Sequence, residues 1–99
     1  MREYKLKHTL KTATGDVDTL HLDFDKLTFA DMRNVATIRK MYDTADLMME
    51  PRTDFGFCVA TAWMAAIKGT PGLMVQDVVN LHLEDVLSLH DIAQDDCFF

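Results

Sequence analysis

Serine occurs once in this chain, at Ser88, and cysteine only twice, at Cys58 and Cys97. A lone serine flanked by Leu87 and Leu89 cannot form a nucleophile elbow. Two cysteines without close, paired spacing make neither a disulfide scaffold nor a zinc knuckle, so a reducing cytoplasm is expected. The four glycines stand at 15, 56, 69 and 72, and none precedes a Lys-Ser or Lys-Thr pair, which excludes a phosphate-binding loop. Residues 71–99 contain no lysine or arginine, and the net charge is −6. The second half thus lacks the basic patch that a nucleic-acid backbone requires, and no nucleic-acid partner is expected. The longest apolar run, Phe55–Ile67, is shorter than the ~20 residues that cross a bilayer. Met1-Arg2-Glu3-Tyr4-Lys5 leads into alternating residues rather than an apolar secretory segment.

What is present is ordinary globular composition, 48% hydrophobic and 26% charged, at a length that fits one domain spanning 1–99. Tyr4, Leu6, His8 and Leu10 alternate with Lys5, Lys7, Thr9 and Lys11, the period of a half-buried strand. Ala13-Thr14-Gly15-Asp16 carries turn chemistry. Leu20, Leu22 and Phe24 then resume the alternation, which predicts a β-hairpin with one apolar face. Thr28-Phe29-Ala30-Asp31 reads as a capping box with Asp at its last position, opening a helix to about Met41 or Tyr42. Residues 43–53 read as a loop with room for one helical turn, and Pro51 ends any extension of helix through Ala45, Leu47, Met48 and Met49. Thr53 or Asp54 is the expected cap of a central helix, Phe55–Lys68, apolar nearly all round and therefore buried on most sides, in its own core or in a subunit contact. Gly69 and Pro71 stop it. Short helical stretches follow at Leu73–Asn80 and Leu83–Ala93. The switch from period two to helical spacing predicts an α+β fold, with the hairpin packed on three main helices.

Candidate chemistry is sparse. His8 and His21 have opposite parity in the hairpin, and His82 and His90 lie about 80° apart around a helix. The best metal-like grouping in the sequence is His90, Asp91, Asp95 and Cys97, and it lacks zinc spacing. No pair of carboxylates stands out as an acid–base couple. The expectation is a non-enzyme without cofactor or metal. Cys58 reads as a small buried hydrophobe, and Met32 and Met64 as core filling. Met48 and Met49, beside Pro51, and the terminal Phe98 and Phe99 are the expected partner-binding residues, because flexible thioethers and bare aromatics suit adaptable contacts. Residues 1–11 are basic and residues 71–99 acidic, a polarity that either orients head-to-tail self-association or keeps two faces solvated. The apolar central helix adds to the expectation of a weak homo-oligomer.

In layout the chain resembles the small tail assembly chaperones of long-tailed bacteriophages and prophages. The resemblance rests on the hairpin Tyr4–Leu10 and Thr19–Phe24, the helix start Leu27-Thr28-Phe29-Ala30-Asp31, and the alanine-rich helix Val59–Ile67 running into Gly69-Thr70-Pro71-Gly72-Leu73. It continues through Asp77-Val78 and Leu81-His82-Leu83-Glu84-Asp85 to an aromatic end. Cys58, Met48-Met49 and residues 43–53 match no part of the pattern. The resemblance implies a non-enzymatic protein of the host-cell cytoplasm. Its implied partners are the tape-measure protein, whose apolar helices it shields, and the tail tube subunits. It carries over no catalytic or cofactor residue. The other readings are a structural or adaptor protein kept in the tail, and a small acidic regulator that binds a host protein.

Overall fold

The computed structural model describes residues 1–41 and 55–97, with Lys40 and Met41 as backbone only. The expected α+β architecture is present. Strands β1 (Arg2–Thr12) and β2 (Gly15–Leu22) form an antiparallel hairpin. Helices α1 (Met32–Met41), α2 (Phe55–Gly69) and α3 (Leu83–Asp96) follow. Three 3-10 segments, Phe24–Lys26, Phe29–Asp31 and Val75–Asn80, join them. The Leu73–Asn80 stretch, expected as a short helix, is a 3-10 helix over its last six residues. Thr53 and Asp54, the expected caps of α2, lie outside the described residues.

Helix α2 is the centre of the molecule. It packs on α1, α3 and β2, and every residue from Cys58 to Ala66 is buried. Small alanines at 60, 62, 65 and 66 let three elements approach one axis, while Trp63 fills the space between them and donates its indole N–H to Val75 O at 3.2 Å. Leu6, Leu10, Leu20 and Leu22 supply the hairpin's apolar face, and Leu89, Ile92 and Ala93 that of α3. The chain therefore covers its own central helix, and the apolar character of α2 gives no ground for a subunit contact. Met64 lies in the core as expected; Met32 does not, with 41% of its surface exposed.

Gly69 ends α2 for a reason other than a left-handed cap. A Cβ there would stand 2.1 Å from the His21 carbonyl oxygen, so the end of β2 crosses the helix where only a hydrogen fits. Thr70 completes the junction, its hydroxyl accepting the His21 N–H at 2.8 Å. The positive φ falls at Gly72 instead, at +90°. The α3 helix runs to Asp96, beyond the predicted Ala93. Acids disfavour a helix C-terminus, but Arg2 meets Asp96 at 2.9 Å. The opposite charges of the two ends of the chain thus meet within one molecule.

Candidate functional site

The hairpin departs from simple alternation between Lys5 and Leu10. Lys5 pairs with Thr19 and Leu10 with Val17, so Leu6, Lys7, His8 and Thr9 stand opposite the single residue Asp18. This wide bulge turns Lys7, His8 and Thr9 to solvent and leaves backbone N–H groups without ladder partners. His8 is therefore not on the hairpin's buried face, where alternation put it.

Asp85 takes up those donors. Three aspartates of the chain occupy the third position after a turn or helix cap: Asp31 after Thr28, Asp77 after Met74, and Asp85 after His82. The first two reach back locally. Asp31 Oδ2 accepts the Thr28 N–H at 2.7 Å and its hydroxyl at 3.2 Å, and Asp77 Oδ2 accepts the Met74 N–H at 3.0 Å. The Thr28 bond, with help from Lys68 at 3.1 Å, holds the Asp31 carboxyl below the usual range. Asp85 instead crosses to β1. Fully buried, it accepts the Tyr4 hydroxyl at 2.6 Å, the Lys7 N–H at 2.9 Å and the His8 N–H at 3.2 Å. Burial and this carboxylate push the Tyr4 phenol up. Bulge and helix start are thereby one rigid junction.

On the solvent side of that junction three side chains meet. His82 is the N-cap of α3, its Nδ1 accepting the Glu84 N–H at 3.1 Å. The His8 and His82 rings stack with centroids 3.5 Å apart. His8 Nε2 lies 3.1 Å from Glu84 Oε1, and that hydrogen bond lowers the Glu84 carboxyl from its ordinary value. Among the described residues, His8, His82 and Glu84 are the grouping able to hold a metal ion. The sequence-level grouping of His90, Asp91, Asp95 and Cys97 does not converge in this way: His90 bonds its neighbour Asp91 and stacks on Phe55 at 5.1 Å. No spacing rule connects His8 to His82, since their meeting depends on the bulge. The available signal was a histidine at an apolar-parity position of β1.

A second feature is apolar. A cavity of about 200 Å³ opens between the 3-10 segment Phe29–Asp31, α1 and α2, lined chiefly by Leu27, Met32, Val35, Phe57 and Cys97. Phe29, in that same segment, is 92% exposed. Partial burial and the neighbouring Asp96 carboxylate raise the Cys97 thiol from its ordinary value. Met48, Met49, Phe98 and Phe99, the expected partner-binding residues, lie outside the described residues. Among those described, no helix is long and apolar enough to cross a membrane. Comparison with protein-family models, curated proteins and solved structures finds no match to this chain.

Proposed function

We propose that this chain is a non-enzymatic tail assembly chaperone that binds the phage tape-measure protein and assists assembly of the tail tube. The observation that carries the reading is the apolar surface at Phe29 and Met32 beside the cavity lined by Leu27, Val35 and Phe57. A folded domain gains nothing from a phenylalanine in water, whereas burying one against a partner contributes about 1.5–3 kcal/mol. The occupant that fits is an amphipathic helix, which anchors one or two large side chains in an apolar cleft. Tape-measure proteins present such helices, and the layout of the chain, from the Thr28–Asp31 turn through the alanine-rich α2 to the acidic start of α3, resembles the family that binds them. The polar side chains at positions 31, 77 and 85 serve internal hydrogen bonds, which agrees with a binding rather than a catalytic role.

Co-expression with the tape-measure protein of the same phage tests this. The expected result is that the tape-measure protein stays soluble and co-purifies with the chain, and that the F29S/M32S variant, still folded by circular dichroism, loses it. A tape-measure protein that aggregates equally with and without the chain, or that F29S/M32S captures undiminished, overturns the reading.

A further inference from the structure

We propose that His8, His82 and Glu84 form a binding site for a divalent transition-metal ion of the zinc class, with water completing the coordination. The donors come from two elements that the fold has already fastened together. The His8 backbone is held by Asp85 at 3.2 Å, His82 is fixed as the cap of α3, and Glu84 is the second residue of that helix. Candidate ligand atoms of all three lie within 4.8 Å of one another. Ligands at zinc distances in a tetrahedral site stand roughly 3.3 Å apart. His8 Nε2 and Glu84 Oε1 are already at 3.1 Å. The stacked rings must turn out of their parallel arrangement so that both lone pairs point at the ion, a side-chain rotation that three exposed residues permit.

The chemistry of the set selects the ion. Two imidazoles and one carboxylate leave a fourth position open, the pattern of three-ligand zinc sites. Magnesium and calcium prefer all-oxygen shells and are poorly served here. Loading exchanges existing bonds for metal bonds. The ring stack and the His8–Glu84 hydrogen bond give way to a shared ion, the His8 proton moving to the other ring nitrogen or to solvent. Lys7 is the cation that acts on Glu84 from β1, and Tyr4 and Asp85 lie beneath the junction.

Titration of zinc chloride into the full chain near neutral pH, against a chromophoric chelator, tests the site. The expected result is one zinc per chain, unchanged in H90A and C97S. H8A and H82A should weaken it by at least the roughly tenfold that loss of a mere outer-shell partner brings, with far-ultraviolet circular dichroism preserved. Imidazole NMR signals of His8 and His82 should shift with zinc in the unmodified chain while those of His21 and His90 hold still, a readout that needs no variant to fold. Absence of zinc uptake, uptake that survives H8A and H82A, or uptake lost in C97S overturns the proposal.

Discussion

Replacing Asp85 with alanine removes the buried side chain that ties the backbone of the β1 bulge to α3. The carboxylate is fully buried and accepts three hydrogen bonds, from the Tyr4 hydroxyl and the Lys7 and His8 backbone. Hydrogen bonds to a charged acceptor contribute about 1.5–3 kcal/mol each, and an orphaned buried donor costs about 1–3 kcal/mol. The three do not add in full, because the bulge donors lie only partly buried and regain water once the carboxylate leaves. A loss of about 3–5 kcal/mol is expected, the scale of breaking a buried charged pair. That is a large share of the ~5–15 kcal/mol that stabilises a domain. At about 4–8 °C per kcal/mol for a domain of this size, Tm should fall by more than about 12 °C. D85N, which keeps one acceptor oxygen, should lose less, and Y4F, which removes one donor, least. Urea unfolding followed by Trp63 fluorescence gives the free energies, and amide exchange at Lys7 and His8 reports the bulge directly. A D85A cost within the ±0.5 kcal/mol typical of surface substitutions, with Lys7 and His8 still protected, would refute the reasoning.

G69A should destabilise by about 1–3 kcal/mol in a melting experiment, because the clash with the His21 carbonyl outweighs the ~1 kcal/mol of helix propensity that alanine adds; an equal or higher Tm contradicts the close approach. The Asp31 carboxyl is depressed below its ordinary 3.8 by the Thr28 N–H and by Lys68, so its contribution to stability is full above that value and is lost as pH falls through the lower folded value. D31N should therefore be the less stable protein at neutral pH, with the gap closing in strong acid, and a gap that stays constant with pH contradicts the assignment.

The parts of the fold that were legible in the sequence are those written in local periods. The hairpin, the Thr28–Asp31 turn and the alanine-rich α2 each follow from residues within one element of one another, and each is present. Burial of Cys58 and Met64 followed from helical position alone. What was not legible depends on pairs far apart in the chain. Leu6 and Leu10 are both buried as alternation predicts, and only His8 between them leaves the apolar face, so the shift in register is marked in the sequence by that one histidine. Gly69 looked like an ordinary helix stop because the His21 carbonyl that demands it lies nearly fifty residues earlier. Nothing in the sequence sets Asp85 apart from the other acids of residues 71–99; its partners on β1 exist only because the bulge frees their N–H groups.

The three aspartates show how one local pattern yields different outcomes. Asp31 and Asp77 follow residues whose own N–H groups are within reach, and both turn back to satisfy them. His82 caps the start of α3 with its ring, accepting the Glu84 N–H, while Asp85 bonds across to β1 rather than back to its own cap residue. The Asp85 carboxylate reaches the bulge and holds the His8 N–H, and the His8 ring stacks on the same His82 ring. The histidine cap thus supplies one face of the cluster that stands above the junction built by Asp85. If His82 were serine, a better conventional cap, the helix start would be preserved. The stacked pair and its third donor geometry would be gone, which separates the structural role of Asp85 from the ligand role of its neighbours.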